Sequence, residues 1–263
     1  MDRRRLFFGV ENGAILPLGA WVVDTPIISG LTDVGDYSSP TVFIKGTDLY
    51  LISSAIDGLW DGWKWSGTAW VVDAPIISGL TDVGAKGVPT VFLIGADLYL
   101  ISGNNTGNWY GWKWSGTAWV GDAPIISGLT DVGAYSSPTT FHIGTDLYLI
   151  SGNSVGLWKG WKWSGTAWVG DAPIISGLTD VGAWSYPTVF YIGTDLYLLS
   201  GNSVGLWDGW KWSGTAWVVD APIISGLTDI GSVSTPTVFY IGTDLYLISG
   251  EINGVFFGFK KGY

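Results

Sequence analysis

Short hydrophobic runs and polar breaks succeed one another along the whole chain. The runs are four to nine residues long, rich in Val, Ile, Tyr, Trp and Thr, and bounded by Gly, Asp, Asn and Ser. Runs of this kind predict β-strands, and no helical periodicity competes with them. Several runs, such as PTVFYI and DLYLIS, are apolar at successive positions, which favours sheets covered on both faces.

The pattern repeats every 49 residues. Residues 19–263 hold five such periods without remainder, and the end of the motif GTAW or GAW recurs at Trp21, Trp70, Trp119, Trp168 and Trp217. A period of this length is typical of propellers, solenoids and arrays. The predicted repeats are 19–67, 68–116, 117–165, 166–214 and 215–263.

Each repeat contains four predicted strands, so the economical architecture is an all-β, five-bladed β-propeller of four-stranded antiparallel blades, forming one domain over residues 19–263. Residues 19–24 (GAWVVD) supply the last strand of a blade whose other three strands lie within 236–263. The N-terminal strand is therefore expected to complete the last blade and to close the ring, because an open ring would leave unpaired strand edges.

Residues 1–18 precede the repeats as an extension without a clear signal peptide. Its segment LFFGVENG (6–13) resembles VFFGFKKGY (255–263) in the closing blade. Two hypotheses follow: the extension is frayed or packed on the closing blade of a monomer, or residues 6–13 exchange strands between chains.

The spacing W-x-W-x-G-x-x-W carries a family resemblance. In the first full copy it consists of Trp63, Trp65, Gly67 and Trp70, followed by Pro89. The repeat resembles five-bladed β-propeller lectins of the tachylectin type, and its blade motif is also similar to that of bacterial fucose-binding propeller lectins. The resemblance implies carbohydrate binding and favours an extracellular or cell-surface location.

Composition excludes several classes of function. The chain has no Cys, which removes disulfides, thiolate nucleophiles and Cys-ligated metals. Its net charge is −10, and Arg3, Arg4 and Arg5, the only arginines, precede the repeats, so we expect no nucleic-acid partner. No apolar run reaches the length of a transmembrane helix, so we expect no membrane insertion.

One face of the predicted disc varies between copies. It carries the loop between the second and third strands of each blade and the long crossover between blades. Five equivalent crossover positions hold Tyr37, Lys86, Tyr135, Trp184 and Val233. Differences among copies mark positions that the fold does not dictate.

This variable face supplies the candidate ligand-binding residues. Aromatic rings receive the apolar face of a sugar, and Asp and Asn side chains bind its hydroxyls. The candidates are Tyr37, Tyr135, Trp184, Asp33, Asp82, Asp131, Asp180, Asp229, Asn104, Asn153 and Asn202. Two structural alternatives stand beside this hypothesis: the Asp of LTDVG fastens an Asx turn, and most Trp side chains pack neighbouring blades together.

Catalytic chemistry has little support in the sequence. A glycosidase needs two carboxylates converging on one bond, and the non-repeated acids Asp36, Asp57 and Glu251 have no evident partner. His142 is the only His, which disfavours a catalytic triad or a zinc site. The LTDVG loops lack the ligand density of a calcium loop. We therefore expect no catalytic residues, no metal and no cofactor.

The sequence thus predicts a lectin-like, carbohydrate-binding module that is not an enzyme, with several equivalent sites on one face that bind glycans. The alternative is a structural or protein-interaction scaffold, including a recently amplified or engineered repeat propeller without a specific small ligand.

Overall fold

A computed structural model describes residues 19–231 and 233–262. The N-terminal extension, and with it the hypotheses on residues 6–13, lies outside the described residues. The described chain contains twenty strands and five short helical turns.

The strands follow one another in five sets of four. In chain order they are β1 (Trp21–Val23), β2 (Ser39–Lys45), β3 (Asp48–Ser54), β4 (Trp60–Trp65), β5 (Trp70–Val72), β6 (Val88–Ile94), β7 (Asp97–Gly103), β8 (Trp109–Trp114), β9 (Trp119–Gly121), β10 (Ser137–Ile143), β11 (Asp146–Gly152), β12 (Lys159–Trp163), β13 (Trp168–Gly170), β14 (Tyr186–Ile192), β15 (Asp195–Gly201), β16 (Trp207–Trp212), β17 (Trp217–Val219), β18 (Thr235–Ile241), β19 (Asp244–Gly250) and β20 (Phe256–Lys261).

Five antiparallel sheets form the blades of a propeller, which confirms the predicted fold class. Blade 1 is β2-β3-β4-β5, blade 2 is β6 to β9, blade 3 is β10 to β13 and blade 4 is β14 to β17. Blade 5 is β18-β19-β20-β1, so the N-terminal strand completes the last sheet as predicted. In it Trp21 pairs with Lys261, and Val23 pairs with Phe259.

The first strand of every blade lies nearest the axis, and the fourth strand lies at the rim. β2 contacts β6 on one side and β18 on the other, and the other first strands continue this ring. The crossover that leaves each rim strand begins with a short helical turn. These turns are Thr25–Ile28, Ala74–Ile77, Ala123–Ile126, Pro173–Ile175 and Ala221–Ile224.

A buried Trp on each rim strand fastens its blade to the preceding crossover. The Trp70 indole N–H donates to the Ile27 carbonyl at 2.7 Å, and the Trp70 backbone N–H donates to the Ser29 carbonyl at 2.8 Å. Gly30 has a φ of +84°, and a Cβ there would collide with the Trp70 carbonyl, so only glycine allows this approach. The equivalent indole bonds, at 2.7–2.8 Å, run from Trp21 to Ile223, Trp119 to Ile76, Trp168 to Ile125 and Trp217 to Ile174.

The hydrophobic core is divided among the blade junctions. Between blades 5 and 1, for example, Ile27, Leu51, Trp70 and Phe239 pack in one buried cluster. The Trp70 and Phe239 rings meet edge to face, with centroids 6.3 Å apart. Most Trp side chains thus hold blades together, as expected from the sequence.

Near the axis, each junction packs one serine against one glycine. A Cβ on Gly103 would lie 2.5 Å from Ser136 Cβ, so both positions cannot carry a side chain. At the junction of blades 1 and 2 the pair is reversed, since Ser54 takes the glycine position and Gly87 takes the serine position. A Cβ on Gly87 would lie 2.6 Å from Ser54 Oγ.

This reversal gives a direct test of the packing. Gly87→Ser should destabilise the protein by about 1–3 kcal/mol, since overpacking of a tight junction costs that much. Adding Ser54→Gly recreates the pair found at the other junctions and should restore most of the loss, as measured by urea unfolding. Equal destabilisation by the single and the double variant would contradict the packing argument.

Lys261 is a buried cation at the closing strand. It stands where the other blades have Trp65, Trp114, Trp163 and Trp212. Its side chain is 1% exposed, its Nζ donates to the Ile223 carbonyl at 3.1 Å, and it lies 5.0 Å from the centre of the Trp21 ring. Burial lowers the pKa of Lys261 to about 8, although the Asp220 carboxylate offsets part of this effect.

Lys261 should make stability depend on pH. The unfolded chain keeps the lysine proton up to about pH 10.5 whereas the folded chain loses it near pH 8, so stability rises between these values. Lys261→Met should remove that rise and should stabilise the protein at pH 7 by about 1–3 kcal/mol. Thermal unfolding of both proteins from pH 7 to 10.5 measures the difference, and parallel curves would contradict it.

Candidate functional site

The second-to-third-strand loops and the crossovers share one face of the disc. Backbone hydrogen bonds join them: Ile56 N–H donates to the Asp36 carbonyl at 2.8 Å, and Ser154 N–H donates to the Ala134 carbonyl at 2.9 Å. The opposite face is uniform. It carries a partly exposed ion pair of 2.6–2.7 Å in every blade, namely Lys64–Asp48, Lys113–Asp97, Lys162–Asp146, Lys211–Asp195 and Lys260–Asp244.

The five variable crossover residues share an unusual backbone conformation. All have a φ between 60° and 69°, the left-handed region that non-glycine residues rarely adopt: Tyr37, Lys86, Tyr135, Trp184 and Val233. Because four kinds of side chain (Tyr, Lys, Trp and Val) take the same strained backbone conformation, the fold imposes that conformation. The side chain is then free to vary.

Four of these side chains converge in one group, which we call the axial cluster: Tyr37, Lys86, Tyr135 and Trp184. The Trp184 ring lies 5.0 Å from the Tyr135 ring and 5.9 Å from the Tyr37 ring, centre to centre. The Lys86 ammonium lies 3.5 Å, 4.4 Å and 4.5 Å from the centres of Tyr37, Tyr135 and Trp184. Lys86 is 9% exposed and also donates to Tyr135 Oη at 3.2 Å.

From the sequence we expected each aromatic residue to bind a sugar in its own blade, and this convergence of residues from different blades was not predicted. Positions 49 residues apart meet because the crossovers all turn toward the axis. Cation–π contacts of a desolvated ammonium contribute up to about 2 kcal/mol each, so Lys86 holds these ring faces. The aromatic surface is therefore already engaged by the chain's own cation.

The axis below the cluster is narrow. It is lined by the Ser-Pro-Thr positions of the five first strands, with Tyr186 among them. Burial raises the pKa of Tyr186 well above its usual range. The space there is about 40 Å³, which holds a few waters at most.

The five Asp residues of the LTDVG motif, which reads LTDIG in its last copy, form Asx turns. In each of them Oδ1 accepts from the backbone N–H two residues later at 2.6–2.8 Å, and each side chain is exposed: Asp33, Asp82, Asp131, Asp180 and Asp229. This is the structural alternative that the sequence left open. None of the hydrogen bonds of the described residues uses Oδ2 of these groups.

The three Asn residues tie their loop to the preceding crossover. Asn202 is 5% exposed, its Nδ2 donates to the Val181 carbonyl at 2.9 Å, and its Oδ1 accepts from the Val204 and Leu206 N–H groups at 3.0 Å. Asn104 and Asn153 make the same bonds. These amides shape the loop, and their hydrogen-bonding capacity is largely used within the protein.

A cleft opens on the variable face beside the start of β16. We call it the blade 4 cleft, and its volume is about 410 Å³, within the range of small-ligand sites. It lies between the crossover that enters blade 4 and the crossover that leaves it. The lining residues are Asp180, Val181, Asn202, Leu206, Trp207, Asp208, Ile224, Leu227 and Asp229.

The cleft combines apolar and acidic groups. Leu206 is 55% exposed, and Trp207 is fixed by a 2.8 Å bond from its indole N–H to the Thr228 carbonyl. Asp180 and Asp229 come from the two crossovers, and Asp208 comes from β16. Burial raises the pKa of Asp208 because a carboxylate loses solvation there.

Sequence reasoning missed Asp208. Its equivalents are Asp61, Tyr110, Lys159 and Phe257, so this position differs between copies as strongly as the axial position does. The signal was available, but it lies inside the strand motif WxGWKW, which was interpreted as blade packing. The variation at this strand position marks a surface-facing place in the cleft.

Within 19–231 and 233–262, no three His, Asp or Glu side chains lie together as a metal-binding group. His142 lies in β10, where burial lowers its pKa. None of the helical turns in the described part of the chain is long and apolar enough to cross a membrane.

Comparison with known proteins shows the fold. No protein-family model matches the chain, and no curated protein sequence matches it. Solved structures do: the catalytic domain of a Coprinopsis cinerea GH62 α-L-arabinofuranosidase has 12% identity and a TM-score of 0.61, covering 94% of this chain and 98% of that one. A β-xylosidase, RS223, has 10% identity and a TM-score of 0.61 over 87% and 92% of the two chains.

A lectin is also among these neighbours. SapL1, solved in complex with α-methyl fucoside, has 15% identity and a TM-score of 0.55 over 88% of this chain and 82% of that one. At such identities the likeness shows the fold alone. Structures similar to this fold thus include both glycoside hydrolases and a lectin.

The prediction that the chain is not an enzyme is corrected by these neighbours, most of which are GH43 and GH62 glycoside hydrolases. The sequence argument relied on the absence of paired non-repeated acids. It overlooked Asp208, which shares a cleft with two repeated carboxylates, Asp180 and Asp229.

Proposed function

We propose that this protein binds carbohydrate in clefts at the blade junctions of its variable face. The observation that carries the proposal is the blade 4 cleft, which places three carboxylates around an apolar wall in a space of about 410 Å³. The lectin resemblance of the blade motif, including the tachylectin type, and the lectin among the structural neighbours support the same function.

The chemistry of the cleft suits a sugar. Leu206, Ile224 and Leu227 offer an apolar surface to the C–H face of a pyranose. Carboxylates accept two hydrogen bonds from neighbouring hydroxyls, and Oδ2 of Asp180 and Asp229 is not used by the Asx turns. The Asp208 side chain makes no hydrogen bond to the described residues, so hydroxyl donors would compensate its partial burial.

The proposed site uses only part of the residues predicted from sequence. Asp180 and Asp229 belong to it, and the equivalents Asp33, Asp82 and Asp131 take the same place at other junctions. Asn202 contributes by shaping the loop that bears Leu206. The axial rings of Tyr37, Tyr135 and Trp184 are left out because Lys86 occupies their faces.

Glycoside hydrolysis is the second candidate, and one observation favours it. Two-carboxylate glycosidases need a protonated acid to deliver a proton to the leaving oxygen and an ionised carboxylate opposite it. The raised pKa of Asp208 suits the acid, and Asp180 or Asp229 suits the carboxylate. The GH43 and GH62 neighbours support this candidate at the level of the fold.

Binding is tested with methyl α-fucoside, xylotriose and cellotriose, the sugars named with the neighbouring structures. We expect at least one to bind with a Kd near 1 mM, about −4 kcal/mol, by titration calorimetry. Trp184→Ala and Lys86→Met are control variants that disturb the axial cluster and should leave the Kd unchanged. Loss of binding in these variants would indicate that the sugar binds at the axial cluster and not in the clefts. If the wild-type protein binds no glycan, the proposal is refuted.

Hydrolysis is tested with chromogenic xylosides, arabinofuranosides and fucosides. If Asp208 is the acid, Asp208→Asn should lower kcat by about 100-fold or more, as the loss of a general acid does, while binding persists. The rate should fall as pH rises through the elevated pKa of Asp208, because the proton is then lost. If the wild-type protein turns over these substrates no faster than Asp208→Asn at any pH, hydrolysis is excluded and binding remains as the proposed function.

A further inference from the structure

The clefts of blades 3 and 4 differ in a single lining residue. The blade 3 positions equivalent to the blade 4 lining are Asp131, Val132, Asn153, Leu157, Trp158, Lys159, Ile175, Leu178 and Asp180. Eight of the nine are identical to their blade 4 counterparts, and the ninth is Lys159 in place of Asp208. Any difference in binding between these two clefts therefore traces to that position or to its close surroundings.

Strand register places the variable residue identically in every blade. Asp208 pairs with Ser200, Lys159 pairs with Ser151, and Asp61 pairs with Ser53. Tyr110 and Phe257 pair in the same way with Ser102 and Ser249. Each of the five side chains thus starts from the same point at the base of its cleft.

Lys159 closes its own cleft. Its Nζ donates to the carbonyl of Asp131, the residue that corresponds to Asp180 in the blade 4 cleft. The side chain therefore reaches from β12 to the crossover that forms the opposite wall. A ligand in the blade 3 cleft would have to displace it.

The aromatic residues fill the same place in blades 2 and 5. The Tyr110 ring stacks on Trp112 with centroids 6.2 Å apart and 18° between the planes. Phe257 packs against the buried cluster that contains Trp21 and Phe259. Neither side chain supplies a carboxylate to a ligand.

Blade 1 is the counterpart of blade 4. Asp61 takes the place of Asp208, and the lining equivalents in blade 1 differ from the blade 4 set only at Ala55, which stands in place of Asn202. Burial raises the pKa of Asp61, and the nearby Asp57 carboxylate adds to this effect. The Asp61 carboxylate, like that of Asp208, makes no hydrogen bond to the described residues.

We infer that one residue of the third strand, the one paired with the second-strand serine, decides which junctions bind glycan. The clefts of blades 1 and 4, where this residue is Asp, are open, and those of blades 2, 3 and 5 are closed. The inference rests on the proposed function. The two open clefts present Asp33, Asp61 and Asp82 in blade 1 and Asp180, Asp208 and Asp229 in blade 4. Three carboxylates repel an anionic ligand, so the ligands are glycans without carboxylate or sulfate groups.

Counting bound ligand tests the inference. Equilibrium dialysis with whichever trisaccharide or fucoside binds the wild-type protein should give two sites per chain. Asp208→Lys copies the closed blade 3 cleft and should leave one site, and Asp61→Lys combined with it should leave none. Lys159→Asp copies the open blade 4 cleft and should raise the number to three.

Several results would overturn the inference while leaving the proposed function intact. These are four or five sites in the wild-type protein, an unchanged count in Asp208→Lys, or equal affinity for a uronic-acid oligosaccharide of the same length. No binding by the wild-type protein or by Lys159→Asp would refute both the inference and the proposed function. Asp208→Tyr, which copies blade 2, repeats the closure with a residue the fold already accepts there, and unfolding curves of each variant verify that a lost site is not a lost fold.

Discussion

The position of each crossover, and with it the arrangement of residues on the variable face, depends on the hydrogen bond from a rim-strand indole to a carbonyl of the preceding crossover. Trp70 reaches back to Ile27, across the boundary between blades, and its backbone holds Ser29 at the same time. One such bond contributes only about 1 kcal/mol net. Its larger effect is to fix the position at which each crossover leaves the rim. Because the indole is buried, its N–H cannot bond to water instead, and breaking the bond would leave a buried donor unsatisfied.

Once the crossover is anchored at the rim, its remaining path is also determined. The chain must return to the axis and begin the next first strand, and it does so through the left-handed residues at positions 37, 86, 135, 184 and 233. Five-fold repetition then brings four of these side chains, those of Tyr37, Lys86, Tyr135 and Trp184, into contact. The axial cluster is thus a consequence of closure: Lys86 lies among Tyr37, Tyr135 and Trp184 because the ring places it there, and the contact of cation and rings stabilises an otherwise crowded axis.

The fold could be predicted because its evidence is repeated and local. Strand runs, glycine turns and the 49-residue period are visible in every copy, and the pairing of residues 19–24 with the last blade follows from the arithmetic of the repeat. The candidate site could be predicted only in part. The variable face was foreseen, but contacts between residues of different blades, such as Tyr135 with Trp184, depend on the radius at which crossovers meet the axis, and no one-dimensional pattern contains that distance. Asp208 was missed for a different reason, since its variation was hidden within a motif whose Trp residues do serve packing.

Near-identical repeats also separate the contribution of the scaffold from that of the single side chain. In most proteins two sites differ in shape, loop length and electrostatics together, so a difference in binding has many causes. Here the clefts of blades 3 and 4 share their loop sequence GNSVGLW, their Asx turns and their walls, and they diverge at Lys159 and Asp208. At this position Lys159 donates a hydrogen bond across its cleft, whereas Asp208 is half-buried and makes no hydrogen bond to the described residues. Because the surrounding fold is held by bonds that do not involve the side chain at this position, the chain can change the chemistry of a junction without changing its geometry. That separation allows a symmetric ring to carry chemically unequal junctions.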